Sequence, residues 1–410
     1  MNARSLMPVL LALLAGCGKD PPTGPGPLLE QLPRALTPAE VRLIEAGNQF
    51  TFDLFREATA DLSPGSNAFL SPFSASMALG MTLNGAAGAT FDSMRATLRL
   101  GQAGRDEINQ GYRDLLDLAR NLDRTTEWQV ANAVWIDEGL PVRAEFLDAT
   151  RTWFDAEAAT LDLQSPAALG TINGWVKEKT RERIPTLLEQ IGGDEVMFLV
   201  NALYFKGRWR LPFDPARTRA APFHGADGRT SSVPMMWLDE VIRYAERPGF
   251  QAADLLYGNG AFTMTVLLPG EGETPKSILA GLSPESWKEL ETSFQSSRIQ
   301  LGLPRFRLEF RRNLVDDLTA LGMGIAFAPT RADFSGIAQV QPERLYLTTV
   351  LQKAFVDVNE EGTEAAAATA VGVGVTSAPP SMVVDRPFLF VIRERLSGTI
   401  LFLGVVSSLP

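Results

Sequence analysis

Residues 359–375 read Asn359-Glu360-Glu361-Gly362-Thr363-Glu364-Ala365-Ala366-Ala367-Ala368-Thr369-Ala370-Val371-Gly372-Val373-Gly374-Val375, directly after the alternating run Phe355-Val356-Asp357-Val358. Side chains along a strand point to opposite faces with period two. One face of this stretch would carry Thr363, Ala365, Ala367, Thr369, Val371, Val373 and Val375, small residues and then β-branched ones. The other would carry Glu364, Ala366, Ala368, Ala370, Gly372 and Gly374, with almost nothing to clash. Alanine favours helix, and a Val-Gly alternation favours neither state strongly, so the stretch is weakly committed. Taken alone it also reads as a flexible Ala/Gly-rich linker before a terminal hairpin. A segment that lives exposed and later becomes a central strand needs this ambivalence.

Outward from this stretch the chain divides into an N-terminal helical part and a strand-rich remainder. Apolar periodicity predicts helices over 40–60, 71–83, 105–122, 143–154 and 171–188. Strands are expected over 196–204, 262–268 and 298–310, the last as one alternating run, and as a pair around Ser397-Gly398 within 387–406. Helices first and strands later define an α+β class. From about Ala39 to Pro410 no long linker, repeat or compositional break appears, so one large domain is expected over 39–410.

Composition removes many functions. The formal net charge is −10, which disfavours a polyphosphate partner, so no nucleic acid is expected. The densest basic stretch, Arg305, Arg307, Arg311 and Arg312, is interrupted by apolar residues and Glu309, and reads as the polar face of a strand. No heparin-type site is evident. The single histidine, His224, sits in Pro222-Phe223-His224-Gly225, which reads as a turn. Hydrolases of the Ser-His-Asp or Cys-His kind would need it as their base. Zinc sites with several His or Cys ligands are excluded by count. No enzyme chemistry, metal or cofactor is implied.

The first residues carry one positive charge, Arg4, and a short apolar run from Leu6 to Ala15, too short to span a bilayer. The run ends in Leu14-Ala15-Gly16-Cys17, which resembles a bacterial lipobox, and Cys17 is the only cysteine. Residues 1–16 are expected to be a lipoprotein signal peptide and Cys17 the lipidation site. Gly18 rather than Asp follows, which resembles an outer-membrane address. A Pro/Gly-rich tether, 17–38, would then hold the body off the membrane. With no second cysteine the body has no internal disulfide.

Several ordered motifs resemble the serpin family over nearly all of 39–410. They include Asn67-Ala68-Phe69-Leu70-Ser71-Pro72-Phe73-Ser74, Asn201-Ala202-Leu203-Tyr204-Phe205-Lys206-Gly207-Arg208-Trp209 and Val233-Pro234-Met235-Met236. Leu303-Pro304-Arg305-Phe306, Ala332-Asp333-Phe334-Ser335-Gly336-Ile337, Asn359 to Ala366 and Asp385-Arg386-Pro387-Phe388 continue the match. The resemblance implies three β-sheets, roughly eight or nine helices and an exposed reactive-centre loop on a metastable body. It implies suicide-substrate trapping of a serine protease, with a papain-like cysteine protease as a further candidate. The attacked loop forms a covalent acyl complex and inserts into the main sheet before water can release the protease.

In that frame Glu361, Gly362, Thr363, Glu364, Ala365, Ala366, Ala367 and Ala368 form the loop hinge. Ser71, Ser74, Asn201, Trp209 and Gln352 fall at the shutter and breach, where the sheet opens. The family's loop length places the reactive bond at Thr376–Ser377, with Val375–Thr376 and Val373–Gly374 as alternatives. Small residues there fit elastase-like or subtilisin-like pockets better than trypsin-like ones. Gln352 stands where the family commonly has a histidine that bonds to groups matching Asn201 and Ser71 or Ser74. An amide both donates and accepts, so the network is expected to survive without pH dependence between 5 and 8. The other function the sequence allows is a non-inhibitory surface protein of the same fold, acting as a binding or structural module. A monomer is expected.

Overall fold

The computed structural model describes residues 26–120, 122–340, 344–363 and 380–410. Within them the chain forms nine α-helices and three β-sheets. The first sheet has six strands in the order β10 (Phe306–Asn313), β11 (Leu351–Asn359), β12 (Gly362–Thr363), β4 (Met197–Arg208), β2 (Thr126–Asp137) and β3 (Glu157–Leu161). The other two sheets share one strand, β6 (Thr230–Arg247), whose 18 residues are long enough to serve both. Its C-terminal end pairs with β7 (Phe250–Leu256), which continues through β8 (Phe262–Pro269), β14 (Phe388–Glu394) and β15 (Ile400–Val406) to β1 (Ala68–Leu70). Its earlier part pairs with β5 (Arg219–His224) and β9 (Gln295–Pro304), and β13 (Ser381–Val383) runs parallel to β9.

Helix α1 (Pro38–Ala60) begins with a capping box, Thr37 with Glu40, and Arg34 clamps the Glu40 carboxylate. Helix α2 (Pro72–Leu83) is apolar on almost every side because it is enclosed between β4 and β15. Ser71 caps it by accepting from the Ser74 N–H, and Pro72 occupies the first turn, where no N–H is needed. Behind it Phe69 stacks between Phe390 and Phe402, at 5.5 and 5.1 Å. This core fixes the position of the helix start that later braces the first sheet.

Three expectations from periodicity change. The helix expected over 171–188 is α6 (Ala168–Lys179), and Arg181 and Glu182 turn left-handed after it. Ile184, Leu187 and Leu188 kept the apolar pattern going because they pack, without helix, on Trp135 and Phe198 of the first sheet. The run over 298–310 is two strands, and the chain passes between sheets at Arg305. His224 ends strand β5, and the turn follows it. The body's contacts also begin ahead of residue 39. Leu29 donates its N–H to Asn259 O, and Leu29, Leu32 and Leu36 pack against the core. Among the described residues no helix is long and apolar enough to cross a membrane.

Candidate functional site

The first sheet is two half-sheets. β4 pairs along its whole length with β2, and β11 along its whole length with β10. Between β4 and β11 the described ladder consists of β12 alone. Gly362 lies opposite Arg208 and Asn359, and Thr363 opposite Gly207 and Val358. β12 is antiparallel to both neighbours, so β4 and β11 run parallel to each other. Beyond Thr363, between the N-terminal halves of β4 and β11, lies a cavity of about 530 Å³. Leu187, Leu188, Phe198, Val200, Leu347 and Leu351 line it, with Ser74, Asn201 and Gln352 at one end.

The turn from β11 into β12 is held tightly. Trp209 donates its N–H to Glu361 O (2.8 Å) and its indole Nε1–H to Asn359 O (2.9 Å), and Phe213 donates its N–H to Glu360 O (2.8 Å). The Trp209 ring stacks on Tyr257 at 4.5 Å. Tyr257 and Thr363 share a buried hydrogen bond, Oη to Oγ1, of 2.8 Å. Thr363 is 2% exposed, so the expected inward face of the hinge begins there. Gly362 has φ +151°, and a Cβ on it would lie 2.0 Å from Gly207 O. Only glycine fits at that point.

The Glu360 carboxylate sits under Arg305, which donates from Nε (2.6 Å) and Nη2, and it also accepts from the Thr218 hydroxyl. Burial pushes this carboxyl up, but the bonds from Arg305 and Thr218 outweigh it and hold it below the usual carboxylate range. Glu361 is the opposite case. Burial raises it, Arg208 only partly offsets that, and one of its carboxyl oxygens is buried with no hydrogen-bond partner.

The two half-sheets are braced on one helix start. On the β11 side, Gln352 reads the Ser71 peptide like a neighbouring strand. Its Oε1 accepts from Ser71 N–H (2.9 Å) and its Nε2 donates to Ser71 O (2.7 Å). On the β4 side, Ser74 Oγ donates to Asn201 Oδ1, and Asn201 donates to Asn132 Oδ1 (2.6 Å). Asn132 in turn donates to Phe154 O (2.6 Å). Ser71 Oγ is committed to Leu401 O (2.7 Å). The network expected around residue 352 is thus present in altered form: Gln352 bonds to the Ser71 backbone, and Asn201 bonds separately to Ser74.

The structure therefore brings together Ser71, Ser74, Asn201 and Gln352 at one end of the cavity, and Trp209, Glu361, Gly362 and Thr363 at the mouth of the split. Glu364, Ala365 to Ala368, Thr376, Ser377 and Cys17 lie outside the described residues. Sequence reasoning missed Tyr257, Asn132 and the pairing of Glu360 with Arg305. Glu360 and Arg305 both stand in quoted motifs, but 55 residues separate them. The basic stretch near Arg305 is largely consumed locally: Arg307 lies over the Phe355 ring, Arg311 meets Glu189, and Arg312 meets Asp317 and Asp61.

Among the described residues the first sheet is thus split between two parallel strands, with the start of the hinge laddered into the gap. The family model described as Serpin (serine protease inhibitor) matches residues 45–409, and the chain belongs to that family. An uncharacterized serpin-like protein of Thermococcus kodakarensis is 35% identical over 373 residues, 89% of this chain and 85% of that protein. Among solved structures, the thermophilic serpin tengpin in its native state superposes with a TM-score of 0.84 at 26% identity, covering 94% of this chain and 97% of that one. Human thyroxine-binding globulin superposes at 0.82 with 29% identity, covering 90% and 99%.

Proposed function

We propose that this chain inhibits serine proteases by suicide-substrate trapping and catalyses nothing itself. The observation that carries this reading is β12, two residues of hinge already laddered between parallel strands with a cavity ahead of them. Continued residue by residue, the β12 register sets Ala365 against Phe205 and Val356. It sets Thr369 between Asn201 and Gln352, and β4 offers partners as far as Val373. Apart from Glu364, the residues from Gly362 to Thr369 are small, which suits entry between two existing strands. Each new ladder bond contributes about 0.5–1.5 kcal/mol net, so two new ladders give on the order of 10 kcal/mol before chain entropy is counted.

The attacked bond in this reading is Thr376–Ser377. A serine nucleophile forms the acyl-enzyme with the Thr376 carbonyl and releases the Ser377 amine; insertion then outruns hydrolysis. The small Thr376 and the preceding Val375 fit elastase-like or subtilisin-like pockets. The same chemistry extends to a papain-like thiolate. Anchoring at Cys17, and with it a place at the bacterial envelope, belongs to the same proposal. The test is denaturing electrophoresis after mixing with an elastase-like protease. A covalent band of higher mass supports trapping. A clipped body beside active protease refutes it. That outcome supports the second reading, a binding module, which the likeness to thyroxine-binding globulin keeps in view.

A further inference from the structure

The N-terminal strap meets the body at the same pole as the hinge. Gly26 O accepts from Arg210 Nη1 (2.9 Å), which also reaches Gly258 O (3.0 Å). Arg210 is the neighbour of Trp209, whose N–H is donated to Glu361 O. Gly258 is the neighbour of Tyr257, whose hydroxyl bonds Thr363. Leu28 packs on Gly260 of the same turn, Leu29 donates to Asn259 O, and Arg395 donates to Leu29 O. The first described residue is therefore one arginine side chain away from the backbone that holds the hinge.

Chain length turns this contact into a distance limit. Nine peptide links join Cys17 to Gly26, and at about 3.1–3.6 Å each they reach at most about 30 Å. The other end of the split is far away. β4 runs from Arg208 at the hinge back to Met197, which at about 3.3 Å per residue is about 36 Å.

We infer that the lipid anchor fixes the hinge pole, rather than the opposite pole, next to the membrane, and that this inhibitor engages proteases held at that same membrane surface. The inference rests on the proposed anchoring and trapping. Confinement of both partners to one surface raises their effective concentration without any new contact.

The test uses the mature chain from Cys17 to Pro410, with its single cysteine coupled chemically to a maleimide phospholipid in phosphatidylcholine vesicles that carry an acceptor dye. A donor dye is placed at Leu211, exposed beside the hinge, or at Asp194, exposed beyond the far end of β4. Transfer from Leu211 should exceed transfer from Asp194 at least twofold. A Gly/Ser spacer of about 20 residues after Pro22 should abolish the difference. Equal transfer from both positions without the spacer, or more from Asp194, would overturn the orientation. A second arm compares subtilisin anchored on the vesicles with soluble subtilisin. Faster covalent trapping of the anchored enzyme, by about tenfold or more, is expected; equal rates would overturn the partner class. Chemical coupling separates these results from the underlying readings. Failure of acylation in the cell would show as equal palmitate labelling of the full chain and its Cys17→Ser variant. Failure of trapping would show as no covalent complex in either arm.

Discussion

Thr363→Arg puts a guanidinium at a position that is 2% exposed, against the Tyr257 hydroxyl and one residue from Gly362, which lies opposite Arg208. Glu360, three residues away, is already held by Arg305 and Thr218. An unpaired buried charge costs several kcal/mol. Because Thr363 is already buried in β12, the arginine is accommodated in the intact protein only by leaving that position, so a cost of about 3 kcal/mol falls on its re-entry during insertion and slows that step by roughly 150-fold. Trapping is a race between insertion and deacylation, so a loss of two decades sends nearly every encounter to hydrolysis. Titration of an elastase-like protease, read by residual activity and denaturing electrophoresis, should show more than about ten inhibitor molecules consumed per protease. The covalent band should be lost, and the variant should be clipped within Val373 to Ser377. Thr363→Val, which removes only the hydrogen bond to Tyr257, should slow trapping by a factor of about 5–10. Trapping by the arginine variant at the parental stoichiometry would refute the reasoning about the hinge.

Three further outcomes follow from the same geometry. Glu360→Gln weakens the bond to the half-exposed Arg305, and the intact protein should lose about 1 kcal/mol of stability at pH 7. Because the Glu360 carboxyl is held below its usual range, its contribution is present above about pH 4.5 and fades as pH falls through the lowered value. The melting difference from the parent should therefore shrink in acid. Glu361→Gln should act in the other direction. Its carboxyl is raised, so the charged form opposes the native turn at neutral pH, and the variant should melt higher at pH 7, with the gap closing as pH falls. Gln352 carries no titrating proton, so the Ser71–Gln352 brace should give no pH dependence between 5 and 8. Gln352→His should introduce one, read as the ratio of variant to parental trapping rates across that window.

The sequence makes the family legible because its motifs are local: the hinge, the Asn201–Trp209 strand and the Asn67–Ser74 cap each state their own backbone geometry. Period-two alternation found the strand preceding the hinge, and the small residues after it correctly placed Thr363 on an inward face. The apolar positions change phase across Arg305, from Ile299, Leu301 and Leu303 to Phe306, Leu308 and Phe310, and that break is the mark the sequence carries of the change of sheets. Apolar spacing ran α6 on to Leu188 because irregular chain packed on a sheet buries residues as a helix does. The partners of Gln352 were illegible in principle, because they are the peptide groups of Ser71. Tyr257 carried no signal until the fold set its hydroxyl beside Thr363.

The central claim is that the native body holds a vacant strand position that its own severed loop fills. The direct measurement is the melting temperature before and after a single cut at Thr376–Ser377. A gain on the order of 10 kcal/mol should raise it by more than about 10 °C. Equal melting temperatures for intact and cut protein would contradict the claim.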